Sequence, residues 1–355
     1  MPNQLDNSVS KLPYSLKALL EPQTYPHNPP EVTVVQTQMS FVFLTGDYVY
    51  KVKKPVNLGY LDYTTLEKRQ LFCHREVELN RRLCPNAYLA VVPITEDSVG
   101  AHVEGRGEAV EYAVKMRQLP QERMMDVLLP QGKVSKEMIA RVAEKLAGFH
   151  QNAGTNPQIA AFGKLVTIRQ NANENFAQTQ KYIELAIPGT TYNHIKGYTD
   201  DFIDSNASLF DKRVKEGRIR DCHGDLHAAH VCFTADICIY DCIEFNDRFR
   251  YCDVASEIAF LSMDLDRYRR PDLSKDLVNN YVKLSHDEEL LKLLKFYQCY
   301  RAYVRGKVES FKLDDPLISE DEKAMALETA RDYFQLAESY IWSRRGYGAM
   351  KEMQN

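Results

Sequence analysis

The chain has 355 residues, 44% of them hydrophobic and 26% charged, with a formal net charge of −4. That length is too great for one small core and predicts two lobes. A mildly acidic balance gives no general attraction to nucleic acid or anionic lipid, and no apolar run approaches the roughly 20 residues that span a bilayer. Neither a nucleic acid nor a membrane is expected as a partner, and no protein partner is implied. The start, "MPNQLDNSVSK", lacks the apolar core of a signal peptide. The eight cysteines are therefore expected as reduced thiols in the cytoplasm.

Residues 9–21 read as a short helix, and "PQTYPHNPP" (22–30) as a linker or a strap over the surface. Three runs rich in Val, Phe and Tyr follow: "EVTVVQTQ" (31–38), "SFVFLT" (40–45) and "YVYKVKK" (48–54). "TGDY" between the last two is a hairpin turn signal, and Pro55 stops the third strand. Over 64–83 the spacing becomes helical, with Phe72, Leu79 and Leu83 on one stripe and Glu76 on the same stripe. "AVVPIT" (90–95) and "EYAVKMRQ" (111–118) add two strands, so residues 31–118 read as a five-stranded sheet with one helix.

After Pro120 the pattern is mainly helical. Ser135 can cap a helix striped by Ile139, Val142, Leu146 and Phe149. Further helices are predicted over 165–187, 200–215, 287–311 and 320–342, with Asp253 capping another. "ICIYDCI" (237–243) reads as a short strand. The fold class expected is α+β: a β-rich lobe over 1–118, including the N-terminal helix and strap 1–30, and a mainly helical lobe over 119–355.

Three ionisable residues sit where burial is expected. Glu76 lies on an apolar helix stripe and needs a cation if buried, unless it bends to solvent. Lys51 shares a strand face with Val49, where it is either functional or an edge gatekeeper. Lys53 and Lys54, at the strand end beside Pro55, are expected to point to solvent. Asp241 alternates with Ile237, Ile239 and Ile243 and reads as a metal ligand, a hydrogen-bonded structural acid or a turn cap. The same alternation sets Cys238 and Cys242 on the face opposite Asp241. Cys222, Cys232, Cys238, Cys242 and Cys252 are expected to fill a tight core as thiols rather than to bind zinc. Arg248 and Arg250 are expected to pair with Asp247 and Asp253, the alternative being contact with phosphates or an anionic substrate. A strand Lys, a helix Glu about 25 residues later, an "HGD" loop (223–225) and a strand-end Asp are the parts of a protein-kinase-like active site, in its order.

With these residues on the page, the chain resembles the aminoglycoside phosphotransferase family, and more closely an uncharacterised bacterial branch of it. The likeness is carried by "YVYKVKKPVNLGYLDYTTLEKR" (48–69), "REVELNRRL" (75–83), "CHGDLHAAHVCF" (222–233), "YDCIEFNDRFRYCDVASEIAFLSMDLD" (240–266) and "FYQCYRAYVRGKV" (296–308). It implies a protein-kinase-like fold with ATP or GTP and Mg²⁺ bound between the lobes. It also implies phosphoryl transfer to a hydroxyl of a small molecule. Lys51 would hold the α- and β-phosphates, and Glu76 would orient Lys51. Asp225 would take the acceptor's proton, with His223 holding its loop, and Asp241 would bind the metal. Glu244 would be a second metal ligand or a substrate contact. The hinge "VKMRQ" (114–118), with Met116 and Gln118, would meet the adenine, and "TQMS" (37–40) would cover the nucleotide through Ser40. Some members of the branch carry a further kinase domain downstream; no G-x-x-x-x-G-K-[ST] motif occurs in this sequence.

One position departs from the family pattern. Five residues after Asp225, where an Asn is usual, stands His230. Neutral imidazole suits Mn²⁺ or Zn²⁺ better than Mg²⁺. The departure leaves three readings: transfer with one Mg²⁺, transfer with a softer ion such as Mn²⁺, or a pseudokinase that binds nucleotide without transfer. A zinc-type hydrolase built on His223, His227 and His230 is the alternative from another class.

Overall fold

The computed structural model describes residues 14–98, 100–316 and 318–342. Their packing divides them into two units. One comprises the residues up to Val127 with His230–Asp247, and the other comprises Leu128–Ala229 with the residues from Arg248 onward. The expected boundary at 118 lies inside the first unit, and 230–247 returns to it from the C-terminal half.

The first unit is an antiparallel sheet with one long helix. Its strands are β1 (Thr33–Gln36), β2 (Ser40–Leu44), β3 (Tyr48–Lys53), β4 (Tyr88–Glu96), β5 (Ala101–Val103) and β6 (Ala109–Arg117), in the order β1-β2-β3-β6-β4-β5. The sheet has six strands rather than the expected five, because short β5 pairs with the end of β4. Alternation along the strands builds two apolar faces. Phe41, Phe43, Tyr50, Val52, Val92 and Ile94 share one face with Leu16, Leu19 and Tyr25, so the segment before β1 is a strap packed on the sheet. Only Tyr14–Lys17 of the expected first helix is an α-helix, followed by a tighter turn at Ala18–Leu20; residues 9–13 lie outside the described residues. Val49, Val114 and Met116 form the other face, against Cys73 and Val77 of helix α1 (Leu66–Arg81).

Helix α1 starts at Thr65, whose hydroxyl accepts from Lys68 N at 3.3 Å. It buries Arg69, Cys73, Glu76, Val77 and Asn80, a 3-4 spacing along one face. Arg69 Nε meets both oxygens of Glu111 on β6, at 2.9 and 2.8 Å, and anchors the helix to the sheet. A small hairpin, β8 (Val231–Cys232) with β9 (Cys238–Ile239), belongs to the same unit. Cys238 forms a disulfide with Cys84, their Cα atoms 4.7 Å apart. This corrects the expectation of eight free thiols. Cys73, Cys222, Cys232, Cys242 and Cys299 are buried thiols, and Cys252 is half-buried.

The second unit is helical: α2 (Lys136–Asn152), α3 (Leu165–Thr179), α4 (Gly189–Ser205), α5 (Ala207–Lys215), α6 (Val254–Arg267), α7 (Pro271–Ser285), α8 (Leu290–Phe311) and α9 (Glu320–Trp342). Ser135 caps α2 as expected, accepting from Met138 N at 3.3 Å. The run 200–215 is two helices, with Asn206 at the break, and α7 was not anticipated. Every residue of α6 from Val254 to Leu265 is buried, as in a helix surrounded by core. A ribbon of β7 (Ile219–Asp221) and β10 (Tyr251–Asp253) leads into α6. Among the described residues no helix is long and apolar enough to cross a membrane.

Asp253 fixes the start of α6 twice. Its Oδ1 accepts from Ala255 N at 2.8 Å, and its two oxygens take Arg213 Nη2 and Nε at 2.6 and 2.9 Å. Arg213 is fully buried and also meets Asp287. Replacing Arg213 by Met strands two buried carboxylates. The expected loss is about 3–5 kcal/mol of stability, read as a lower urea midpoint; an unchanged midpoint would deny the pair its role.

Candidate active site

In the first unit, Lys51 and Lys53 alternate with Tyr50 and Val52, so both project toward α1 on the face of Val49. There they meet Glu76, which is 0% exposed. Lys51 Nζ lies 2.8 Å from Glu76 Oε1, and Lys53 Nζ lies 2.7 Å from Glu76 Oε2. One carboxylate is thus shared between two ammonium groups. Lys53 is 1% exposed, which corrects the expectation that it points to solvent. Its place at the strand end beside Pro55 suggested solvent, but its parity with Lys51 decides the direction. Lys54 is half-buried, donating to Gln36 Oε1 at 3.2 Å and to Thr37 O at 2.6 Å.

Lys51 also donates to Asp241 Oδ1 at 2.7 Å. Lys53 donates to Glu244, which takes Tyr63 Oη at 2.6 Å. Burial opposes the charge on both lysines. The carboxylates outweigh it, Asp241 then Glu76 for Lys51 and Glu244 then Glu76 for Lys53, and hold both well above the usual lysine range. Burial likewise pushes the Glu76 carboxyl up, but Lys51 and Lys53 bring it below its ordinary value.

Asp241 does not sit among the isoleucines. The strand ends at Ile239, and Asp241 has φ 63°, which turns it out of the alternation. Its side chain is 41% exposed, while Ile237 and Ile239 are buried. The opposite-face reading of Cys238 and Cys242 fails for the same reason. Two residues of the sheet side hold the turn. Tyr88 Oη accepts from Asp241 N at 3.2 Å, and Asn80 Oδ1 accepts from Cys242 N at 2.8 Å. His230 Nε2 stands 3.6 Å from Asp241 Oδ2. Of the expected metal ligands, Asp241 and His230 are therefore adjacent, whereas Glu244 is buried and turned to Lys53.

Of the remaining expected nucleotide contacts, Ser40 pairs with Lys53 and Met116 with Val49 in the sheet register. Ser40 is buried at the start of β2, its N–H donating to Thr37 Oγ1 at 3.0 Å. Met116 is in the core beneath α1. Gln118 is exposed, its N–H donating to Asp47 O at 3.0 Å.

In the second unit, the loop after β7 carries His223, Gly224 and Asp225. Its clamp is Glu257 on α6, a residue missed from sequence. Glu257 Oε1 accepts from His223 N at 2.8 Å and Gly224 N at 2.7 Å, and Oε2 lies 2.8 Å from His150 Nε2. Burial raises the Glu257 carboxyl, but His150, His223 and the Gly224 N–H outweigh this and leave it at about 2. Gly224 has φ 90°, a conformation open to glycine and strained for other residues. Arg301 on α8 donates to Gly224 O at 3.3 Å, and Asp264 Oδ2 accepts from Ala228 N at 2.8 Å. Asp225 is left part-exposed, with His227 Nε2 3.5 Å from its Oδ2. His223 is fully buried, and its Nδ1 accepts from Asp225 N at 3.3 Å. That makes His223 a loop-positioning residue and a poor first ligand for a zinc cluster.

The two arginines after Asp241 pair elsewhere than expected. Arg248 donates to Glu174 Oε2 at 2.6 Å and to Asn171 Oδ1 through Nε at 2.8 Å. Arg250 Nε meets Asp221 Oδ1 at 2.5 Å. Asp247 pairs instead with Arg75, and Asp253 with Arg213.

No family model matches the chain. It is 34% identical over 281 residues to uncharacterised proteins of Mycobacterium tuberculosis and Mycobacterium bovis; the match covers 79% of this chain and 55% of theirs, so it spans little more than half the length of these relatives. Among solved structures it is similar to a choline/ethanolamine kinase family protein from Mesorhizobium loti, with TM-score 0.50, 11% identity, and 92% of this chain and 98% of that chain covered. It is equally similar to a candidate aminoglycoside phosphotransferase from Ralstonia eutropha, with TM-score 0.50, 13% identity, and 93% and 98% covered. The chain therefore has the protein-kinase-like α+β fold of these neighbours, an antiparallel sheet unit and a larger helical unit.

Proposed function

We propose that the protein transfers the γ-phosphoryl group of ATP or GTP to a hydroxyl of a small molecule. The observation that carries this reading is the Lys51–Glu76–Asp241 chain of ion pairs in the first unit. Lys51, kept protonated by its carboxylates, would hold phosphate oxygens. Glu76 would orient it, and Lys53 would keep Glu76 in place. Asp225, on a loop clamped by Glu257, would accept the acceptor's hydroxyl proton as the new O–P bond forms and the bond to the leaving nucleoside diphosphate breaks. The names of the kinase-like fold neighbours support the same chemistry.

A divalent cation fits the donors at Asp241. A part-exposed carboxylate is a suitable oxygen ligand for Mg²⁺, which keeps waters and phosphate oxygens in its other positions. The imidazole of His230 beside it suits Mn²⁺ better. When bound, the ion would neutralise phosphate charge.

His230 also favours a second reading, nucleotide binding without transfer, because it supplies no carbonyl oxygen beside Asp241. Labelled ATP with a panel of hydroxylated metabolites, in Mg²⁺ and in Mn²⁺, separates the two. Turnover that falls by about 10²–10⁴ in Asp225→Asn, with nucleotide binding retained, is the expected outcome. Binding without turnover under every condition selects the second reading.

His230→Asn restores an amide oxygen beside Asp241. The metal preference should move toward Mg²⁺ by about tenfold or more in the ratio of Mg²⁺ to Mn²⁺ affinity, measured with bound nucleotide. An unchanged ratio would remove His230 from the metal's surroundings.

A further inference from the structure

The second unit holds a cation that the scheme above does not use. Lys307 lies on α8 and is half-buried. Its Nζ donates to Asn175 Oδ1 at 2.6 Å and Gln178 Oε1 at 2.8 Å, both on α3. These are neutral amides, and among the described residues no carboxylate comes within ion-pair distance of it. The nearby acid, Glu174, is engaged by Arg248. Cations removed from water usually carry a counter-ion. Burial lowers the Lys307 amine, Glu174 opposes this and Arg248 adds to it, and together they leave it at about 8. The Phe311 ring beside it adds only a weak attraction, at 5.6 Å.

The same helix reaches the Asp225 loop. Arg301, on α8, holds the carbonyl of Gly224, next to Asp225. Asn175 also lines a small cleft with Phe176, Tyr300 and Tyr303.

We propose that Lys307, beside the Arg248–Glu174 ion pair, forms an anion subsite, and that the acceptor is a hydroxylated carboxylate or phosphate ester. Its role as acceptor rests on the phosphotransferase reading; the anion site itself does not. Asn175 and Gln178 place the ammonium without neutralising it, so its charge is available to a ligand. An amine-rich acceptor would set ammonium groups against Lys307, and like charges in a half-dry site repel.

Calorimetry on the full chain tests this with D-glycerate and inorganic phosphate as probes, glycerol as a neutral control and kanamycin as a polycation. One or both anions should bind at millimolar concentration and outcompete the controls. Lys307→Met should weaken that binding at least about tenfold, Lys307→Arg should retain it, and nucleotide affinity should not change in either. Binding should weaken as pH rises through about 8, where free Lys307 loses its proton. At pH 8.5 the heats should then reveal proton uptake, because a bound anion raises the amine's pKa. Equal anion binding by Lys307→Met, no binding of either anion, or binding of glycerol or kanamycin as strong as that of the anions would overturn the proposal. Anion binding with no phosphoryl transfer to any acceptor would instead sink the phosphotransferase reading and leave this one standing.

Discussion

The arrangement of the first unit depends on one buried carboxylate. Glu76 is held out of water by the sheet and its own helix, and an unpaired charge there costs several kcal/mol. Two lysines from a single strand meet it, one at each oxygen. A close pair at a partly screened position is worth about 4 kcal/mol before desolvation is subtracted. The network therefore adds little net stability, and its consequence is geometric. Lys51 cannot move without exposing half of Glu76's charge, and Lys53 prevents Glu76 from following it. The two ammoniums face three carboxylates: Glu76, Asp241 and Glu244. The excess negative charge lies at the end where Asp241 is exposed, which is where one further positive charge is accommodated at least cost.

The second unit uses a buried glutamate differently. Glu257 accepts backbone N–H groups rather than ammonium groups, and so fixes a loop instead of a side chain. Gly224 makes this possible, because its positive φ presents consecutive N–H groups to one carboxylate. Arg301 completes the hold from the other side by taking the carbonyl of the same residue. Asp225 then projects from a loop whose path is set by its neighbours, with its own carboxylate part-exposed.

Much of this is legible in the sequence. Periodicity located β1–β4, β6, α1, α2 and the two last helices, and a carboxylate on an apolar stripe marked Glu76. Failures came where local pattern and local backbone part company. The face assigned to Asp241 fails because alternation holds only while φ stays extended, and at 241 it does not. Lys53 was misread by its position along the strand, although its parity with Lys51 was visible. Glu257 carried the same signal as Glu76, an acid within an apolar helical run, but its partners are backbone groups, which leave no trace in side-chain composition. The Cys84–Cys238 bond joins residues 154 apart, and no local pattern reports such a pairing. Helix α7 carries Leu273, Leu277, Val278 and Tyr281 at helical spacing, a signal present in its sequence.

The two glutamate hubs separate what must be constant from what can change. On the phosphotransferase reading, Glu76 holds the lysine that a phosphoryl donor would need and Glu257 the loop that a hydroxyl acceptor would need. Neither reaches the faces of α3 and α8, where Asn171, Glu174, Asn175, Gln178 and Lys307 lie. Those side chains contact one another and Arg248, and none is tied to either hub by a hydrogen bond or ion pair among the described residues. A substitution there alters charge and shape without moving Asp225 or Lys51. On the phosphotransferase reading, acceptor preference would vary by exchange of side chains on α3 and α8. On that reading, Lys307 bears more directly on an acceptor's charge than do the activities of proteins that share only the fold.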